Sequence, residues 1–215
     1  MNSLQEMTPD DVGARQRITE AAIVLFANEG LHGTSTRDIA KQSGLNLSLI
    51  SYYFGGKEGL YRTVIQEFVQ KIFLQISNVV NEFEQDTVSE RSLRKAIQSL
   101  IQTVIDCRVA NPHMAKIMTR EKLQGLPFSR EIHETMMTGA GLKLESIIIK
   151  AQEAGLVKKQ INPRFFILCL VEGMLGYFNI VDCNCSFNDG LYAKPEHKNE
   201  LMNQISLLFL EGILE

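Results

Sequence analysis

Apolar residues recur every three or four positions along almost the whole chain, and no segment sustains the two-residue alternation of a strand. The pattern predicts an all-α protein of about nine helices. Thr8-Pro9-Asp10-Asp11 offers a cap, a proline for the first turn and early acids; Ile18, Ala21, Ala22, Leu25 and Phe26 then form one apolar stripe that stops at Gly30. Ser35 and Asp38 have capping-box spacing and open a short helix through Ile39 and Ala40 that ends before Gly44. Asn46 can cap the next short helix, from Leu47 to Phe54, before the Gly55-Gly56 break. From Lys57 the scale changes. Leu60, Val64, Phe68, Ile72, Ile76, Val80 and Phe83 follow one another with no interior breaker, which predicts one long helix. Further helices are expected from Ser89 to Val109, after Asn111-Pro112, after Leu126-Pro127 as far as Gly155, after Asn162-Pro163, and from His197 to Leu214. Each Asn-Pro pair supplies a cap followed by the residue best suited to a first helical turn. Gly139-Ala140-Gly141 marks a place for a kink, and the Asn-, Asp-, Gly- and Pro-containing run from Asp182 to Glu196 reads as a loop.

With 215 residues, 45% of them hydrophobic and 22% charged, the chain can bury a full core, which excludes a disordered or collagen-like protein. No stretch reaches the roughly 20 apolar residues of a membrane span. Met1 to Asp11 has acids and Pro9 where a signal peptide would have a basic end and an apolar run, so a cytoplasmic protein with no membrane partner is expected. Cys107, Cys169, Cys183 and Cys185 are too few and too irregular for a disulfide framework. Cys183 and Cys185, with His197 nearby, lack a second paired set, so neither a metal nor a cofactor is expected. His113 and His133 are tied to no serine, cysteine or acid by a motif, and no phosphate-binding glycine loop is present, which points away from an enzyme. A net charge of -3 argues against coating nucleic acid by bulk charge. Residues 32 to 62 differ from that average, because Arg37, Lys41, Lys57 and Arg62 stand against Asp38 and Glu58, a net +2.

Within this basic segment, Ile39, Ala40, Leu45 and Ile50 would share a core and Gly44 would supply the positive φ of a tight turn, which is helix-turn-helix spacing. Such a pair lays its second helix in the major groove of DNA. The stretches Ile18-Thr-Glu-Ala-Ala-Ile-Val-Leu-Phe-Ala-Asn-Glu-Gly30, Thr34-Ser-Thr-Arg-Asp-Ile-Ala40 and Gly44-Leu-Asn-Leu-Ser-Leu-Ile-Ser-Tyr-Tyr-Phe-Gly-Gly-Lys-Glu-Gly-Leu-Tyr61 resemble the N-terminal domain of the tetracycline-repressor (TetR) family of bacterial transcription regulators. The Tyr-Phe-x-x-Lys-x-x-Leu run is the most distinctive part. The resemblance covers Arg17 to Ile65; the remainder is similar only in layout.

The resemblance implies an N-terminal arm or helix start over 1–13, a three-helix DNA-binding domain over 14–56, and a C-terminal helical bundle over 57–215 that dimerises and binds an effector. A homodimer, a palindromic double-stranded operator and a small-molecule effector are the partners implied. Backbone N–H groups around Ser35 and Thr36 would hold a phosphate, and Arg37 would reach a base or a phosphate. Asn46, Leu47, Ser48 and Ser51 would face the groove, with Tyr52, Tyr53 and Lys57 on the DNA backbone. Ser51 stands where many members carry tyrosine, and Tyr53 where many carry histidine. The family keeps its effector pocket among helices five to eight, which makes Met114, Met118, Glu121, Phe128, His133, Met137, Phe166, Cys169 and Tyr177 candidates. Phe165, Phe166, Leu168 and Phe178, then Leu201, Ile205, Leu208 and Phe209, spread apolar residues over more than one helical face, as a two-helix dimerisation unit does. Of these, Phe178, Leu201, Ile205, Leu208 and Phe209 are the candidate interface. A ligand-released repressor is expected, with an activator compatible with every one of these features; an all-α ligand-binding protein or enzyme with a vestigial helix-turn-helix is the rival reading.

Overall fold

The computed structural model describes residues 9–183 and 197–214, and among them the regular structure is helical. Two compact units emerge, one formed by residues up to Val69 together with Pro112–Ile132, the other by Gln70–Asn111 and His133 onward.

In the first unit, α1 (Pro9–Gly33) buries Ile18, Ala21, Ala22, Phe26, Ala27 and Leu31, and leaves helical geometry at Gly30. The expected box opens α2 (Thr36–Ser43): the Asp38 N–H donates to Ser35 Oγ at 3.2 Å, and the Ser35 N–H to Asp38 Oδ2 at 3.2 Å. Gly44 then takes φ 67°, the left-handed turn that separates α2 from α3 (Ser48–Phe54). Asn46 caps α3, its Oδ1 accepting from the Ser48 N–H at 2.9 Å. The chain turns at Gly55-Gly56 into α4 (Lys57–Gln85) so tightly that a Cβ on Gly59 would lie 1.8 Å from the Phe54 carbonyl oxygen. Ile39, Ile50, Leu60, Val64 and Ile65 are fully or almost fully buried, and Phe26 meets Tyr61 edge-on with ring centroids 5.0 Å apart.

Residue 56 ends the helix-turn-helix, but the compact unit continues past it, taking in the start of α4 and all of α6 (Pro112–Leu123). Two adjacent side chains explain why. The Arg120 guanidinium donates to the Phe26 and Ala27 carbonyls at 2.7 and 3.4 Å, satisfying acceptors at the break in α1. Glu121, only 1% exposed, accepts from the Tyr61 hydroxyl at 3.1 Å, the Phe128 N–H at 3.2 Å and the Ser129 hydroxyl at 2.8 Å. A carboxylate buried among three donors is stable only while all of them are present.

The second unit contains the rest of α4, α5 (Glu90–Ala110), a π-helical turn (His133–Met137), α8 (Thr138–Glu153), α9 (Pro163–Asp182) and α10 (Lys198–Ile213). The short α7 (Arg130–Ile132) belongs to the first unit. Val80, Phe83, Leu93, Ile97, Leu100, Ile101, Ile105, Leu144, Ile147, Ile148, Leu170 and Met174 make the core. Gly139-Ala140-Gly141, the expected place for a kink, lies in regular helix; the irregularity is the π-helical turn at His133–Met137. The two Asn-Pro pairs diverge. Asn162 caps α9, accepting from the Phe165 N–H at 2.9 Å. Asn111 instead donates its amide to the Cys107 carbonyl at 2.9 Å and closes α5.

Candidate DNA-binding face

Ile50 and Phe54 turn inward from α3, and helical spacing carries Ser48, Ser51 and Tyr52 away from them, with Leu47 at the edge of that open arc. There Leu47 is 40% exposed, Tyr52 is 70% exposed, and Ser48 and Ser51 are also open. On α2, Arg37 and Ser35 are exposed and Thr36 is half-buried. The structure therefore brings the expected groove-facing residues to one surface.

Directed bonds hold that surface. The Arg17 guanidinium donates to the Ser43 carbonyl at 2.7 Å, placing a cation at the C-terminus of α2 where the helix dipole favours it. The Lys57 ammonium donates to the Thr34 carbonyl at 2.7 Å and ties the start of α4 to the entry of α2. The Tyr53 hydroxyl donates to Asp11 Oδ1 at 2.5 Å; this bond, reinforced by burial, pushes the phenol up to about 12. Tyr53 also meets Tyr52 edge-on, with ring centroids 5.0 Å apart. Hydrogen bonds from the Ser35 hydroxyl and N–H hold the Asp38 carboxyl below its ordinary value.

The expected roles consequently separate. Ser48 donates its hydroxyl to Asn46 Oδ1 at 2.9 Å, which leaves its lone pairs for an incoming donor, while Asn46 is occupied as a cap. Lys57 and Tyr53 already serve within the protein, although an ammonium keeps two further protons and a phenol oxygen can still accept. Arg17, Thr34 and Asp11 were not singled out by sequence; Arg17 opens the family resemblance, and Asp11 was legible only as an early helical acid.

The effector candidates divide between the units. Met114 and Glu121 are buried in the first, with Met118 and Phe128 half-buried. Phe128 packs edge-on to Tyr61 and lies beneath the Arg62 guanidinium. His133, Phe166, Cys169 and Tyr177 belong to the second unit, with Phe166 buried and the others half-buried. The Met137 side chain lies outside the described residues, as does Cys185. Cys183 is an exposed thiol, and no group of three or more metal-ligating side chains occurs among the described residues. Gln75 on α4, missed by sequence reading, buries its carbonyl oxygen with no hydrogen-bond partner among the described residues.

Three interface candidates need correction. Phe178, Leu201 and Ile205 are buried in the protomer's own core, and Phe178 carries the Arg108 guanidinium over its ring. Phe209 is half-buried against Phe166, and Leu208 is 73% exposed. The large apolar groups open to the outside on α9 and α10 are Phe165, Leu168, Ile180, Leu207 and Leu208. Periodicity marks both faces of such a helix as apolar without saying which one the protomer itself covers.

These features define a helix-turn-helix DNA-binding protein. Residues 18–64 match the model of the bacterial regulatory proteins of the tetR family. The chain is 28% identical to the probable HTH-type transcriptional regulator YttP of Bacillus subtilis over 126 residues, 59% of this chain and 58% of that one. It is 27% identical to the HTH-type transcriptional dual regulator CecR of Shigella flexneri, over 97% of this chain and 95% of that one. A crystal structure of an HlyIIR mutant protein superposes with a TM-score of 0.69 at 22% identity, covering 94% of this chain and 99% of that one, and shares the all-α fold. Residues 18–64 thus carry the DNA-binding domain of the tetR family, and the whole chain is similar in sequence to HTH-type transcriptional regulators.

Proposed function

We propose that the protein is a cytoplasmic, dimeric repressor that holds a palindromic operator and leaves it when a small molecule binds. The observation that carries this reading is the exposed surface of Leu47, Ser48, Ser51 and Tyr52, with Arg37 exposed on α2, backed by the bonds of Asn46, Arg17 and Lys57. A surface of that kind costs side-chain freedom to hold in register, which is worthwhile where base edges must be met at set positions. Ser35, Thr36, Arg37, Tyr52, Tyr53 and Lys57 supply the phosphate contacts in this reading.

Phe165, Leu168, Leu207 and Leu208 supply the dimer contact, and Gly176, with open space where its Cβ would be, lets a partner helix approach closely. Among the described residues α9 is the one helix long and apolar enough to cross a membrane by length and composition. Its buried residues Phe166, Ile167, Leu170, Met174 and Phe178 serve the core, and its open apolar side suits a second copy. The effector site is placed in the second unit, where Phe166, Cys169 and Tyr177 offer apolar contact and Gln75 offers an acceptor. Effector binding favours a state whose two heads no longer match the operator spacing, an equilibrium shift limited by the effector's differential affinity. The α4 helix, whose residues are divided between the units, is one covalent link, beside the chain crossings at 111–112 and 132–133.

A fluorescence-anisotropy titration with duplexes from the promoters of its own and neighbouring genes tests the proposal. Binding of one dimer per palindrome, weakening steeply with salt, is expected. Affinity no better than for random duplex at the same salt would refute it. Leu208→Arg should yield a folded monomer by light scattering with operator affinity lost.

A further inference from the structure

We propose that Leu47 selects the base under it by packing on the 5-methyl group of a thymine. The inference rests on the reading of α3 as the groove-facing helix and adds which feature of the base pair is read there. Leu47 has helical φ and ψ of -54° and -34°, and the Asn46 cap fixes the turn around it, so the direction of its side chain is set before DNA arrives. It remains 40% exposed at the N-terminal end of α3, at the edge of the open arc that holds Ser48 and Ser51.

Its neighbours define what it can read. No residue of α3 is charged, so the helix offers no forked cation for the O6 and N7 of guanine. Ser48 has committed its hydroxyl proton to Asn46 and presents an acceptor, and Tyr53 has committed its proton to Asp11. Leu47 is the aliphatic member of the surface formed by residues 47, 48, 51 and 52, beside the larger ring of Tyr52. The floor of the major groove consists of donors, acceptors and one apolar projection, the thymine methyl. A leucine pressed on the polar edges of guanine, cytosine or adenine would strip water from them without replacing its hydrogen bonds. Set on a thymine methyl, the same side chain removes apolar surface from water on both partners.

The test begins by selecting tightly bound duplexes from a randomised pool with the full-length protein. Each thymine of the selected half-site is then replaced in turn by deoxyuridine, which removes only the methyl. Affinities are measured for the wild type, Leu47→Ala and Leu47→Met, with circular dichroism confirming that each variant is folded. One thymine per half-site should lose about fourfold in wild-type affinity on demethylation, the effect of one methyl-sized apolar contact. Leu47→Ala should be indifferent to that replacement, and Leu47→Met should retain most of the sensitivity. Equal losses in wild type and Leu47→Ala at every thymine, with the selected duplex still tightly bound, would overturn the assignment and leave the DNA-binding function standing. Failure of the pool to yield any preferred duplex would overturn both.

Discussion

In the first unit, side chains reach across to the backbone of other segments: Arg17 to Ser43, Lys57 to Thr34, Arg120 to Phe26, and Glu121 to the Phe128 N–H. In the second, a continuous apolar core from Ile76 to Ile213 is bordered by ion pairs in which at least one partner is well exposed, such as Arg94 with Glu90 and Glu211, and Lys150 with Glu84. The difference follows from helix length. α2 and α3 have eight and seven residues, too few to be positioned by buried area alone, whereas α5 and α9 have 21 and 20. Hydrogen bonds are directional and hold an orientation; apolar burial is non-directional and tolerates repacking. In the proposed function, a head that presents Leu47, Ser51 and Tyr52 at set positions would gain from the first kind of bond, and a body that accommodates a ligand from the second.

The sharpest way to break this contrast is Glu121→Ala. Three buried donors lose their acceptor, and destabilisation of about 4 kcal/mol is expected in chemical denaturation, with Glu121→Gln losing less. A loss below about 1 kcal/mol would mean that the buried carboxylate is not a fastening of the first unit. Gly59→Ala should follow at about 3 kcal/mol, because the added carbon meets a backbone oxygen that cannot move without displacing α3. Its operator affinity should fall even where the chain remains folded.

Smaller changes sharpen the comparison. Ile101→Val in the second core should cost about 1 kcal/mol in thermal stability with operator affinity unchanged. Arg17→Met should cost a similar amount, about 1 kcal/mol, yet weaken operator binding severalfold, since it releases the C-terminus of α2. Equal effects of the two variants on DNA affinity would remove the distinction between the units. The smallest effect concerns pH. Asp38 has its folded pKa below the ordinary value of 3.8, so the capping box contributes stability above 3.8 that is lost as pH falls through the folded value. Ser35→Ala should flatten this acid limb of the melting-temperature profile.

Local chemistry made much of the head legible. The Ser35 and Asp38 box, the Gly44 turn and the Asn46 cap each depend on residues within three positions of one another, so their spacing in the chain is their spacing in the helix. Asn111 shows where such reasoning stops: the same dipeptide that starts α9 closes α5, because an asparagine between two helices can serve either neighbour. Leu208 and Phe178 show the same limit for burial. Both lie on apolar helices, and only packing reveals that Phe178 faces the protomer's interior and Leu208 does not.

From the sequence alone came the all-α class, the helix-turn-helix and its net +2, since periodicity, caps and motif spacing are properties of neighbouring residues, together with the resemblance of residues 17–65 to the TetR family. Tertiary structure alone decided that α6 belongs with the DNA-reading unit through Arg120 and Glu121, that Tyr53 rests on Asp11 and Lys57 on Thr34, and which side of α9 and α10 is open. These are contacts between residues tens of positions apart. Their partners are chosen by the way the helices pack, for which a linear pattern carries no coordinate.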